Sequence, residues 1–432
     1  MGVGQSVANR LGPEGERILR EAGEAFATSD AARLRDLLAR YPPLKQAIDE
    51  PLGPFDSPAI THVTTREMLD VLLEVGADIN ARSRWWAGSF GILDLIPREL
   101  ADYAIERGAT VDVNAAARLG LIDRVRDLLA QDAALVHARG GDGQTPLHVA
   151  ANVDVATLLL DAGADIDARD VDHESTPAQY AIRERQDVAQ YLVTRGCHTD
   201  LLMAAALGHV GLALSHLDRD PGVVRMQVTD EWFPKQNPKA GGTIYQWTLG
   251  FYLSAHQVAK AFERTELLQL LFDRSPAILR LLEACVIGDA DLARRFRSAL
   301  PEGPLALSDS DRRRVADAAR NNDAAAVQLL LESGWPVDAR GQHQATPLHW
   351  AAFHGNGDMI RSVLGFDPPL EAVDADFHAT PLGWAIHGSE HGWYAQSGDY
   401  GTAVERLLRA GAKRPDTVRG SAAVRAALAH TV

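Results

Sequence analysis

The chain has 432 residues, 46% of them hydrophobic and 23% charged, with a formal net charge of −15. This is a soluble-protein composition, and its acidity argues against nucleic acid as a partner, since a phosphate backbone needs clustered Lys and Arg. No apolar run is long enough to span a bilayer and no secretory leader is visible, so no membrane partner and a cytoplasmic location are expected.

In chain order, residues 1–48 read as an N-terminal cap and a divergent helix pair, Phe26 through Leu38, with Arg35-Asp-Leu-Leu38 on its second helix. Residues 49–226 repeat that unit. Ser57-Pro58 leads to Leu72-Leu73 and Gly76-Ala-Asp78, and Ala115 to Gly120 leads to Val125-Arg-Asp-Leu-Leu129. Thr145-Pro-Leu-His148 leads to Leu158-Leu-Leu160 and Gly163-Ala-Asp165, Thr176-Pro177 leads to Gly196, and Met203 to Gly208 opens another pair. Residues 227–276 form a unit with a long insertion ahead of Ser254-Ala-His-Gln257. Residues 277–415 resume the repeat with Leu282 to Gly288, Ala316 to Arg320 closing at Gly334, Thr346-Pro-Leu-His349, and Thr380-Pro-Leu382 closing at Gly411. Residues 416–432 read as a terminal cap helix. Self-similarity at a period of about 33 residues predicts a stacked array, in which each helix pair buries its apolar stripe against its neighbours.

Over nearly its whole length the chain resembles the ankyrin repeat family, in particular a long array of bacterial type. The resemblance implies an all-α solenoid of about eleven helix-pair repeats with short β-hairpin-like fingers. It also implies that Thr-Pro-Leu-His opens a first helix and that its His hydrogen-bonds neighbouring backbone, a role falling on His148 and His349, with Gln257 in the same place. A glycine in the left-handed region would stop each second helix. The family usually binds proteins through fingers and first helices. Cys197 and Cys285 then read as small buried hydrophobes in a reducing compartment.

Departures from the repeat are where function is expected. The finger Ser83-Arg-Trp85-Trp86 holds two adjacent tryptophans, which cannot both face the core of an extended segment. The finger Asp170-Val-Asp172-His173-Glu174 reads as a solvated polar tip or as a site. The insertion Gln227 to Leu249 carries Asp230-Glu231-Trp232, Lys235, Tyr245 and Trp247, and reads either as a cover for an apolar gap or as a ligand-contacting loop. His387-Gly-Ser-Glu390-His391 matches a short zinc pattern in a poor context, with only Glu405 as an obvious third ligand. No metal is expected there, and no cofactor fingerprint occurs anywhere.

Two functions follow. The first is a monomeric binding protein that recognises a protein partner through a concave finger surface. The alternative is an enzyme or receptor for a small molecule or glycan, with Trp85, Trp86, Trp232, Lys235, Tyr245 and Trp247 as binding residues. In that reading Asp172, His173, Glu174, Asp230 and Glu231 are the catalytic candidates, because Trp faces and carboxylates suit sugars or cations and a buried carboxyl can act as an acid.

Overall fold

The computed structural model describes residues 3–300 and 307–430. The described residues are helical and form no sheet; the isolated bridges Gly53–Ser57 and Gln227–Ser254 are the β pairings recorded. The architecture is an all-α solenoid of helix pairs, divided into two compact units, residues 1–203 with 228–250 and residues 204–227 with 251–432. The cap expected over residues 416–432 contains the helix Ala422–His430, and its last two residues lie outside the described set.

In the first unit the pairs include Gly15–Ala27 with Ala31–Arg40, Val113–Leu119 with Ile122–Gln131, and Pro177–Ala181 with Gln186–Thr194. In the second they include Ala277–Val286 with Ala290–Ser298, Asp309–Arg320 with Ala324–Glu332, Pro347–Phe353 with Gly357–Leu364, and Pro381–His391 with Tyr400–Arg409. Short polar side chains begin the second helices. Asn152, Asp289, Asp323, Asn356 and Asp399 each accept a backbone N–H three residues on, satisfying one of the donors a helix start leaves free. Gly76, Gly163, Gly196, Gly334 and Gly411 end them with φ between 90° and 105°, a region closed to most side chains. Leu72, Leu159, Leu192, Leu330 and Leu407 face inward with no exposed surface.

The first helix expected after Thr145 is missing. Thr346 is followed by the helix Pro347–Phe353, but Thr145 is followed only by a turn before Val153–Asp161 begins. The sequence contains the reason. The second-helix cap Asn356 stands ten positions after Thr346, whereas Asn152 stands seven after Thr145. The carbonyls left free by the truncation are taken by Arg185, which donates to Ala150 O at 2.7 Å and His148 O at 2.9 Å.

The fingers are tight turns with no ladder. In one, Gly140 N–H reaches Gln144 O at 2.9 Å; in another, Gly341 N–H reaches Ala345 O at 3.0 Å. Neighbouring fingers are laced together by a repeated device. Arg139 Nη1 donates to Gly143 O and to Arg169 O in the next finger, both at 2.6 Å. Arg340 does the same to Gln344 O and Val373 O at 2.7 and 2.8 Å.

Candidate functional site

In the first unit, three fingers and the long insertion meet. Asp142, at a finger tip with φ 54°, accepts Trp85 Nε1–H on Oδ1 at 3.0 Å, and its carbonyl accepts Val171 and Asp172 N–H at 2.8 and 3.1 Å. The Trp85 finger lies close against this turn. A Cβ on Gly88 would fall 2.2 Å from Gly140 O, so only glycine allows the approach. Trp85 packs edge-on to Phe55 at 5.4 Å, while Trp86 beside it keeps 37% of its surface exposed.

The insertion is bonded along the Asp170 to Ser175 finger. Gly241 N–H donates to Asp172 O at 2.8 Å, and Ile244 N–H donates to Ser175 Oγ at 3.0 Å. His173 Nδ1 lies 2.9 Å from Gly242 O; a carbonyl only accepts, so Nδ1 carries the proton. Both oxygens of Glu174 are occupied by the N–H groups of Gln236 and Asn237, each at 2.7 Å. Glu174 thus anchors the insertion. Asp170 is enclosed, accepting from Ser175 N, His173 N and Tyr180 Oη at 2.7, 2.8 and 3.0 Å.

The candidates from the sequence are therefore distributed over several environments. Trp85, Asp172 and His173 come together around Asp142. Trp232 and Lys235 share with His173, Glu174, Arg169 and Gln179 the wall of a cavity of about 330 Å³. Glu231 is exposed, and Asp230 lies 3.9 Å from the Lys235 ammonium. Tyr245 has no exposed surface; its hydroxyl donates to Asp200 at 3.0 Å and its ring meets Phe233. Trp247, two residues on, points away and is 66% exposed.

Electrostatically the Asp142 corner is strained. Burial pushes the Asp142 carboxyl up to about 6, with the Asp172 and Asp170 charges adding to the rise and His173 opposing it. Asp142, Asp172 and His173 offer one ligand atom each, all within 4.8 Å of one another, the one such set of three among the described residues. His387 and His391 do share a helix face, with ring centroids 4.9 Å apart, but no third metal-ligating group joins them among the described residues.

The second unit has a separate aromatic cluster. Trp350 and Trp384 meet at 4.9 Å, and Trp393 stacks on Trp350 at 5.9 Å with 26° between planes. The Arg320 guanidinium lies over Phe251 at 4.2 Å and over Trp393 at 5.0 Å. Trp393 is 59% and Phe377 66% exposed. At the matching finger tip, His343 Nδ1 contacts Asp376 Oδ2 at 2.6 Å.

Stacked helix pairs joined by laced finger turns define a repeat solenoid, and a family model described as Ankyrin repeats (3 copies) matches residues 113–207 and 315–394, the segments that contain both Thr-Pro-Leu-His motifs. The matched segments are ankyrin repeats, a type of repeat that supports a protein-interaction role. Among similar proteins, palmitoyltransferase Hip14 of Drosophila melanogaster is 35% identical over 98 residues, 23% of this chain and 14% of that protein. The serine/threonine-protein kinase VIK of Arabidopsis thaliana is 53% identical over 49 residues, 11% of each chain. A putative palmitoyltransferase ZDHHC13 of Danio rerio is 32% identical over 57 residues, 13% of this chain and 9% of that protein. The similarity therefore spans a small part of each relative. No helix among the described residues is long and apolar enough to cross a membrane.

Proposed function

We propose that the chain is a cytoplasmic, monomeric binding protein that docks a protein partner on its fingers and first helices, with the second-unit aromatic cluster as the anchor. The supporting observation is Trp393, more than half exposed yet held in place by stacking on buried Trp350 and by the Arg320 guanidinium over its face. A rigid exposed Trp beside a half-buried Arg has the composition and preorganisation of interface residues that dominate binding energy. The buried unpaired thiols Cys197 and Cys285 suit a reducing compartment. The immobilised chain should retain a stoichiometric protein that is lost on Trp393→Ala and Phe377→Ala, with melting temperatures unchanged. An identical captured set from wild type and both variants would end this reading.

A small-molecule or glycan ligand is a second reading, favoured by the 330 Å³ cavity with Trp232 and Lys235 on its wall. Trp232→Ala should then abolish binding of a co-purifying small molecule seen by native mass spectrometry. A bound species retained by that variant would rule the cavity out.

A further inference from the structure

The geometry points to a divalent transition-metal site at Asp142, Asp172 and His173, independent of which partner the surface docks. The argument starts with the histidine. Its Nδ1–H is committed to Gly242 O at 2.9 Å, which leaves the Nε2 lone pair as the other face of the ring. That nitrogen lies 3.7 Å from Asp172 Oδ2, too far for a direct hydrogen bond. Both side chains are about nine-tenths buried, at 11% and 10% exposure. A buried lone pair facing a buried carboxylate oxygen is repulsive until one of the two takes a proton or a metal ion lies between them.

The third group completes the set. Asp142 is 9% exposed; its Oδ1 takes the Trp85 N–H, and its other oxygen makes no hydrogen bond among the described residues. The ligand atoms of all three lie within 4.8 Å of one another, so a small inward movement brings each to the roughly 2.0–2.2 Å of a zinc bond. The surroundings match those of a metal-binding histidine. Its far nitrogen donates to a backbone carbonyl, which fixes tautomer and ring plane, and the Trp85 N–H orients one carboxylate. One imidazole with two carboxylates selects a borderline ion of the Zn²⁺ or Co²⁺ kind over Mg²⁺ or Ca²⁺, which take oxygen ligands. Three protein ligands are one fewer than in a closed structural zinc site, so the ion keeps a position for water or for a carboxylate of whatever docks there. The ion would tie the Trp85, Asp142 and His173 fingers and the insertion into one rigid corner.

The test uses the full chain stripped with a chelator and titrated calorimetrically with ZnCl₂, and separately with CoCl₂ followed by visible absorption. The expected result is one equivalent bound, a cobalt ligand-field band, and a melting temperature that rises with metal. Asp142→Asn keeps an acceptor for Trp85 and so should fold, as circular dichroism would verify. It and His173→Ala should each weaken binding at least about tenfold. His387→Ala combined with His391→Ala should leave binding unchanged. The proposal is overturned by no binding at millimolar metal, by binding that survives both Asp142→Asn and His173→Ala, or by binding lost only with the His387 and His391 pair.

Discussion

His148 illustrates how one side chain ties two repeats together and ties stability to pH. Its Nδ1 accepts Thr145 N–H at 3.1 Å, and its Nε2–H donates to Ser175 O at 3.0 Å in the next finger. His349 repeats this with Thr346 and Ala379, at 3.1 Å on both sides. The role that the Thr-Pro-Leu-His resemblance implied is thus present at both positions. The same pattern exists with an amide: Gln257 Oε1 accepts Ser254 N–H at 3.1 Å and its Nε2 donates to Val286 O at 3.3 Å. Burial lowers His148 to about 3, and the nearby Arg139 and Arg185 charges add to the fall. The unfolded chain, with its His near 6.5, takes up a proton first, so this contribution is complete above pH 6.5 and is lost as pH falls toward 3. His148→Gln should therefore cost little at pH 7.5. Relative to wild type it should gain about 2 kcal/mol by pH 5, one and a half pH units below the unfolded value. Urea midpoints at the two pH values measure this; a difference between variant and wild type that does not change with pH would refute it.

At the scale of elements, the truncated helix after Thr145 makes Arg185 indispensable. It is the donor to both Ala150 O and His148 O. Arg185→Met keeps the stem but leaves two interior carbonyls without that donor, which should cost about 2–4 kcal/mol. Arg185→Lys should recover part of it, since one ammonium cannot span both carbonyls in a guanidinium's fixed fork. A Met variant as stable as wild type in chemical denaturation would contradict this account. The deletion was visible in the spacing of Thr145 and Asn152, as the repeat itself was in the recurring Thr-Pro and closing Gly; these follow local rules of capping and left-handed turns. The finger cluster was only half legible. Trp85, Asp172 and His173 were singled out for their chemistry, but Asp142, set among Gly140, Gly141 and Gly143, was not. Its signal was positional. Asp142 and His173 both stand three residues before the Thr of consecutive repeats, and stacking brings equal positions side by side. Nor does composition tell a residue that reaches the surface from one that holds the insertion down. Glu174 was a catalytic candidate and Tyr245 a ligand-binding candidate; in the structure Glu174 accepts two backbone N–H groups and Tyr245 has no exposed surface.

For the whole molecule, a solenoid's stability is a sum of repeat and nearest-neighbour terms and lacks one shared core. The consequence is spatially confined damage. Leu330 has no exposed surface, and its helix Ala324–Glu332 packs on Ala277–Val286, Asp309–Arg320 and Gly357–Leu364. Leu330→Ala should cost about 2–5 kcal/mol through lost burial and the cavity left behind. Under native hydrogen exchange the lost amide protection should be concentrated in those four helices, while Gly15–Ala27 and Gln186–Thr194 in the other unit keep theirs. A uniform fall in protection across both units would mean that the chain unfolds as one cooperative body, and the stacking argument would fail. The same separability bears on the proposed anchor and metal corner, which lie in different units. If coupling decays from repeat to repeat, Trp393→Ala should leave metal affinity at Asp142 unchanged, and Asp142→Asn should leave partner capture at Trp393 intact. A loss of both functions from either single change would show that the two units act as one device.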